Sequence, residues 1–198
     1  MVGVDIDRHS VDRPIGKFGD RLREFVHLLD NEAGENALHD HLARNPIILS
    51  EQLPHCYHVV SKPRLGSEYV PDFLLPEMHS GGTDWYLVEL EPCDAKLETT
   101  SGQLADRVRG AIQQNNARRP IAQKGLGLEG LESTARAWII VGRRTAVTDR
   151  FNILRKQDWE SDHIEIKTYD RIVEWAEKRA EFWDGNDKMV ESLMGKIL

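Results

Sequence analysis

Two carboxylates stand at alternate positions of the apolar stretch "WYLVELEP", residues 85 to 92. Only Leu90 separates Glu89 from Glu91, and side chains two residues apart in a β-strand point to the same face. Burying two like charges together is costly unless a metal ion or a proton lies between them. The spacing therefore indicates either a cation site on a strand or an exposed sheet face where both acids meet water.

A third carboxylate, Asp72, enters the preceding apolar stretch "VPDFLLP". We predict that residues 69 to 91 form a β-hairpin with a wide turn over "MHSGGTD", centred near Ser80. Asp72 would then lie nearly opposite Glu89. Three such carboxylates suit Mg²⁺ or Mn²⁺, which would orient a water and stabilise charge on a phosphate. The alternative is that Asp72 caps a turn and both glutamates are exposed.

The rest of the chain supplies elements that could position these acids. Two helices are predicted in "KFGDRLREFVHLLD" and "ENALHDHLARNP", and a third, capped by Ser101, in "SGQLADRVRGAIQQNNARR". "RAWIIVGRR" reads as a strand covered on both faces and "HIEIKTYD" as another strand, followed by helices in "DRIVEWAEKRAEFW" and "NDKMVESLMGKIL". This order predicts the α/β class, with a mixed β-sheet flanked by helices.

Length and composition favour one globular unit. The 198 residues allow a loose arm over residues 1–15 and a single domain over 16–198. No apolar run reaches the roughly 20 residues that span a bilayer, so we expect no membrane association. Two cysteines, Cys56 and Cys93, form no disulfide framework, which favours the cytoplasm. The net charge of -7 does not suggest a nucleic-acid binder unless basic residues cluster locally.

"VPDFLL" followed by "WYLVELEP" resembles the signature of the PD-(D/E)XK nucleases. More narrowly, the chain resembles the nuclease domain of the Shedu antiphage defence proteins. Further blocks, "ENALHDHLARNPIIL", "AIQQ", "WIIVGRR" and "IEIKTYDRI", follow in that family's order, so the resemblance runs from about residue 35 to 175. It implies a restriction-endonuclease-like fold, metal-dependent hydrolysis of DNA in prokaryotic antiphage defence, and assembly into homo-oligomers.

The resemblance also assigns roles to single residues. Asp72 and Glu89 would be the metal ligands. Glu91 stands where many of these enzymes have a lysine, and an acid there could bind a second metal or accept a proton from water. The departure leaves two functions open: an active endonuclease, or a catalytically degenerate nuclease fold that acts as a DNA-binding or assembly module.

Three other residues receive weaker assignments from the resemblance. Gln114 would orient water or a ligand, unless it is a plain polar residue of its helix. Glu35 would complete the metal shell, unless it is a first-turn acid favoured by the helix dipole. Lys96 could supply the missing cation, unless it is a surface lysine after a turn.

Basic residues concentrate in two segments. Residues 103 to 124 hold five basic side chains against one acid, and residues 136 to 156 hold six against one. Such segments could contact DNA phosphates or simply be solvated faces. We expect phosphate contacts from Arg107, Arg109, Arg143 and Arg144.

Overall fold

A five-stranded mixed sheet forms the centre of the computed structural model, which describes residues 9–11, 18–65, 69–123 and 135–179. The strands lie side by side in chain order. The first three pair antiparallel and the last three parallel. They are β1 (Val60–Ser61), β2 (Phe73–His79), β3 (Gly82–Leu90), β4 (Arg136–Ile140) and β5 (Ile164–Lys167).

Helices cover both faces of this sheet. Apolar side chains of α1 (Phe18–Asp30), α2 (Glu35–Arg44), α3 (Ile47–Ser50) and α6 (169–179) pack on one face. Those of α4 (Asp106–Gln123) and α5 (Asp149–Asp162) pack on the other. The predicted α/β class, with a mixed sheet flanked by helices, is confirmed.

The apolar run of β4 is buried from both sides. Trp138 and Ile140 belong to the core under α1, α2 and α3, whereas Ala137 and Ile139 belong to the core under α4 and α5. Because successive side chains alternate between faces, a strand covered on both faces must be apolar throughout. The sequence-based prediction of a doubly covered strand here is confirmed.

The β2–β3 hairpin has a tighter turn than we predicted. His79 pairs with Gly82, so only Ser80 and Gly81 connect the strands, and most of the expected wide loop is paired. Gly82 has φ +129, a conformation that favours glycine and permits the tight reversal. The register keeps the predicted relation of the acids: Phe73 pairs with Val88, which makes Asp72 and Glu89 the next opposed residues.

The helix after the hairpin begins later than predicted. It starts at Asp106, and Ser101 does not cap it. The hydroxyls of Ser101 and Thr99 hydrogen-bond each other at 2.9 Å, and the Thr99 amide donates to the Gln103 carbonyl. Local side-chain and backbone bonds therefore fold residues 99 to 103 into a turn, which competes with helix formation.

One helix, α5, was absent from the predicted element order. It connects β4 to β5, which are parallel and therefore require a crossover connection. The Thr148 hydroxyl accepts a 3.0 Å hydrogen bond from the Phe151 amide and so caps the helix. The sequence signal for this helix was Thr148, a residue type that commonly caps helices, three residues before Phe151.

Some predictions fall outside the described residues. Of the predicted arm only residues 9–11 are described, and there Ser10 pairs with His58. The predicted final helix lies outside the described part of the chain, and the single-domain boundary stays a prediction. Among the described residues, no helix has the length and apolarity needed to cross a membrane.

Candidate functional site

Asp72 lies just before β2 and satisfies the backbone of β3. Its buried carboxylate accepts a 2.7 Å hydrogen bond from the Leu90 amide, which lies beyond the last residue pair of the hairpin. The other carboxylate oxygen pairs with the ammonium group of Lys62. The Asp72 carboxylate thus accepts the hydrogen bond that the Leu90 amide would otherwise give to a neighbouring strand. The bond also compensates the carboxylate, because a buried charge needs hydrogen-bond or ionic partners.

Lys62 is a site residue that the sequence did not reveal. It follows β1, and its backbone amide donates a 2.9 Å hydrogen bond to the Asp72 carbonyl. Its φ of +48 is a left-handed conformation that is uncommon for a residue with a side chain. Backbone and side chain of Lys62 are therefore both fixed on Asp72, although half of the side chain remains exposed. "SKPR" carries no pattern from which this contact could have been predicted.

Glu89 points to the sheet face that carries Leu87. Its carboxylate accepts a 3.0 Å hydrogen bond from the hydroxyl of Tyr69, which is fully buried. Tyr69 was not predicted as a partner, although it lies three residues before Asp72. The two predicted metal ligands, Asp72 and Glu89, are thus both engaged by neighbouring side chains in this structure.

Glu91 follows the last residue of β3, and its backbone is held from two sides. Its amide donates to the Ile140 carbonyl at 2.8 Å, and its carbonyl accepts from the Tyr169 hydroxyl at 2.9 Å. Tyr169, at the start of α6, is another site residue that the sequence did not reveal. These contacts fix the position from which the Glu91 side chain emerges.

The carboxylate of Glu91 is poorly compensated. Its side chain is 13% exposed, and Oε2 is buried without a hydrogen-bond partner; the nearest cation is Arg107, whose Nε lies 3.5 Å away. Burial raises the pKa of Glu91 to about 7, against the lowering effect of Arg107. The charges of Glu35 and Asp72 raise this pKa further, so both lie within electrostatic range of Glu91.

A pocket of about 530 Å³ opens beside Glu91. The helix α4 forms its opposite wall. Along this helix, lining residues recur at steps of three or four positions and therefore share one helix face: Arg107 is followed by Gly110 and Ala111, and these by Gln114. The structure thus brings two of the predicted site residues, Glu91 and Gln114, to the same pocket. Arg107, predicted as a phosphate contact, lines it as well.

Glu35 is the first residue of α2, after the N-cap Gly34. An acid is favoured at this position by the helix dipole alone. The charge of Glu35 also raises the pKa of Glu91, which shows that the Glu35 side chain is near the site. One turn later on the same helix face, the buried ring of His39 lies 3.3 Å from the Ser61 hydroxyl. Ser61 directly precedes Lys62 in the sequence, so this contact of His39 lies beside the lysine that pairs with Asp72.

The acids do not form a ready-made metal shell. Within the part of the chain that the structure describes, no three His, Cys, Asp or Glu side chains converge on one point. Lys62 and Arg107 occupy the space beside Asp72 and Glu91 instead. The donor chemistry nevertheless fits a hard divalent cation, because these are carboxylate oxygens and one of them, Oε2 of Glu91, is buried without a hydrogen bond.

The other predicted phosphate contacts are paired or distant from this pocket. Arg109 pairs with Asp106 on its own helix. The guanidinium group of Arg143 lies 3.1 Å from the carboxylate of Asp170 and 3.2 Å from that of Asp30. These two ion pairs join the end of β4 to α6 and α1. Two more cations complete the set: Arg144, which pairs with Glu174 at 2.7 Å, and Lys96, which is exposed in the loop after β3.

No protein-family model matches the chain, and no curated protein matches its sequence significantly.

Proposed function

We propose that the chain is a metal-dependent DNA endonuclease of the PD-(D/E)XK type, similar to the Shedu nucleases of prokaryotic antiphage defence. The observation that carries the proposal is the state of Glu91, which lines a pocket near Asp72 and Glu35. Its backbone is fixed by two hydrogen bonds, whereas its carboxylate has a buried oxygen without a hydrogen-bond partner and a pKa of about 7. Strongly shifted pKa values in pockets are typical of functional acids and bases.

Asp72, Glu89 and Glu91 would hold Mg²⁺ or Mn²⁺, with Glu35 as a further ligand. When bound, the metal lowers the pKa of water and neutralises charge on a phosphate. Lys62 and Arg107 now balance the charges of Asp72 and Glu91, so their side chains must yield as a cation enters. Both are long and at least half exposed, which permits such a movement.

The chain's own groups divide the remaining work. Glu91, which lines the pocket, takes the proton of the attacking water. Arg107, which pairs with Glu91, and Lys62, which pairs with Asp72, contact the scissile phosphate once displaced. Gln114 lines the pocket and orients the water.

Nicking of a supercoiled plasmid tests this proposal, with magnesium, manganese and EDTA arms. Wild type should nick only with a metal ion, and Asp72→Asn and Glu89→Gln should not nick. Glu24→Gln, at an exposed position of α1, is the matched control and should retain wild-type activity. Nicking that persists in EDTA, or in both site variants, would overturn the proposal.

A second function, a degenerate nuclease fold that only binds DNA or assembles, is favoured by one specific observation. Asp72 is saturated by Lys62 and by the Leu90 amide, and these contacts are sufficient to explain a structural carboxylate. In that case the wild type would bind plasmid without nicking it under any metal condition.

Two further properties belong to the proposal. We propose self-association into a homo-oligomer, which sedimentation of the purified chain would test. We also propose a cytoplasmic location; in support, Cys56 and Cys93 are both free and buried, as expected in a reducing compartment.

A further inference from the structure

A second cleft, of about 720 Å³, lies along β5, the outer strand of the sheet. The first turns of α5 and α6 form its walls. It shares no lining residue with the pocket at Glu91, and β4 separates β5 from β3, which places the two strands roughly 10 Å apart. The volume lies in the usual range of small-molecule sites, roughly 300–1,000 Å³.

Cationic side chains dominate this cleft. Among the residues that the structure describes, five cations line it against one carboxylate, Glu165, in a chain whose net charge is -7; the cations are Arg144, Arg155, Lys156, Lys167 and Arg171. Glu174 lies next to the cleft and is shared by Arg144 and Arg171, at 2.7 and 3.2 Å. Even with that acid included, the cations remain in excess. A concave surface with one sign of charge focuses the potential and attracts anions.

The deepest cation is held in place by its surroundings. Lys167 is 13% exposed, with its ammonium group 2.9 Å from Glu165 and 4.2 Å from the centre of the Trp138 ring. Burial lowers the pKa of Lys167, and Glu165 opposes that effect. An anion that enters the cleft would add compensating charge to this partly desolvated ammonium group.

The remaining lining also supplies donors at the edge of the sheet. Arg155 donates a 3.4 Å hydrogen bond to the carbonyl of Ile166, so its guanidinium group lies along the outer edge of β5. Thr168 and Asn152 also line the cleft, and their side chains carry a hydroxyl and an amide group. Guanidinium, ammonium, hydroxyl and amide groups are the donors that proteins use for phosphate.

We propose that this cleft binds phosphate groups, supplied either by a free nucleotide or by the backbone of a nucleic-acid strand. A terminal phosphate is favoured over the carboxylates of an acidic peptide because its greater charge and its three free oxygens can replace Glu174 between Arg144 and Arg171. The backbone of a strand presents singly charged phosphodiesters in succession, which several cations of the cleft can engage at once. The proposal does not rest on hydrolysis at Glu91, because it requires binding alone.

The test is equilibrium binding in EDTA, which keeps divalent metal out of the acidic pocket. Three probes separate the sources of phosphate: inorganic pyrophosphate, ATP, and a fluorescein-labelled single-stranded 20-mer oligonucleotide. Poly-glutamate of comparable charge serves as the carboxylate competitor. Unlabelled probes are followed by calorimetry and the labelled strand by anisotropy, at two salt concentrations.

Lys156→Glu and Arg144→Ala are the cleft variants, and Arg23→Glu is the control. Lys156 and Arg23 are both exposed, and their reversal changes the net charge equally. Lys156→Glu should weaken binding by at least about tenfold, whereas Arg23→Glu should stay within about twofold. For the single-stranded oligonucleotide, each lost phosphate contact should lower the salt slope by about 0.7 unit. Circular dichroism of each variant checks that it is folded.

The outcomes separate cleanly. Binding of pyrophosphate or ATP that the cleft variants weaken identifies a nucleotide-sized site, and binding of the oligonucleotide alone identifies a strand-backbone site. Failure of all three probes at millimolar concentration, binding that the variants leave unchanged, or equal competition by poly-glutamate would overturn the proposal. None of these results depends on cleavage, so a failed nicking assay leaves this test intact.

Discussion

The carboxylate of Glu91 and the backbone that carries it are stabilised very differently. Ile140 and Tyr169 fix the backbone through two hydrogen bonds, whereas Oε2 of the carboxylate has none and relies on Arg107 at 3.5 Å. A charge that is buried with so little compensation destabilises the fold whenever it is ionised. The cost has a measurable dependence on pH.

The first prediction concerns this pH dependence. The folded-state pKa of Glu91, about 7, lies above its ordinary value of 4.5, so the folded chain binds the proton more tightly. This contribution to stability is complete below about pH 4.5 and is lost as the pH rises through 7. As the pH is raised from 5 to 8 in EDTA, the free energy of unfolding of Glu91→Gln should therefore increase by ~1–3 kcal/mol relative to that of wild type.

Urea unfolding at the two pH values measures that difference. Glu24→Gln, at an exposed position, provides the control and should follow the wild type. A free-energy gap between Glu91→Gln and wild type that stays constant from pH 5 to pH 8 would show that the Glu91 carboxyl group titrates normally.

The second prediction concerns Lys62, which competes with any metal ion for Asp72. Lys62→Met removes the ammonium group that pairs with the buried carboxylate of Asp72, so it should lower the free energy of unfolding in EDTA by ~1–3 kcal/mol. Magnesium should restore part of that loss, so it should raise the Tm of Lys62→Met more than that of wild type. Asp72→Asn, which lacks the ligand charge, should show the smallest response. An identical magnesium response in all three proteins would remove Asp72 from the metal shell.

Residues of the site differ in how far the sequence could reveal them. The opposed position of Asp72 and Glu89 was predictable because the length of chain between them sets the register of the hairpin. Lys62, Tyr69 and Tyr169 were not predictable, because their contacts depend on how strands, loops and helices pack, and Tyr169 lies 78 residues from Glu91. Their side chains contact Asp72, Glu89 and the backbone of Glu91, and no spacing rule encodes such contacts.

At the scale of elements, α4 connects the sheet to the pocket. Its buried residues, Val108, Ala111 and Ile112, pack on the sheet, and this packing turns Arg107 and Gln114 towards Glu91. Gly110 lies between them, and a Cβ added there would meet no atom within 4 Å. A side chain added at Gly110 would therefore begin in open space beside the pocket.

The third prediction uses that position. Gly110→Ala should stabilise the fold by roughly 0.5–1 kcal/mol, because alanine favours the helix and meets no obstacle. Gly110→Phe should remain folded but occupy the pocket and reduce plasmid nicking by at least about tenfold. Ala117→Phe, at an exposed position of the same helix, is the matched control and should nick normally. Normal nicking by Gly110→Phe would place the reaction elsewhere.

Predicted and observed elements differ where tertiary requirements outweigh local pattern. The strand β4 was predictable from its apolar run and β5 from alternating apolar residues, but neither their parallel pairing nor the crossover α5 that it requires was recognised. The tight turn at Ser80 and Gly81 was missed because its neighbours Met78 and Thr83 read as loop residues, yet they pair across the hairpin. The α/β class survived these errors because it depends on the type of each element and not on its exact boundaries.

At the scale of the whole molecule, charge is divided between two surfaces. The carboxylates gather at one end of β2 and β3, while the cationic cleft lies along β5. The sequence predicted the concentration of basic residues in 136 to 156, but not that Arg143 would lie between Asp170 and Asp30. That guanidinium group joins three elements, and we expect Arg143→Ala to lower stability more than it alters any anion binding.

Plasmid nicking by variants of Glu91 tests the central claim most directly, because this residue separates an active nuclease from a degenerate one. Glu91→Gln removes the charge and keeps the shape, and Glu91→Lys installs the residue of the commoner signature. We expect the wild type to nick with magnesium, Glu91→Gln to lose at least the ~10²-fold typical of a general base, and Glu91→Lys to be equally inactive. An inert wild type that gains activity in Glu91→Lys would contradict the account, and the chain would then be a binding module built on a nuclease fold.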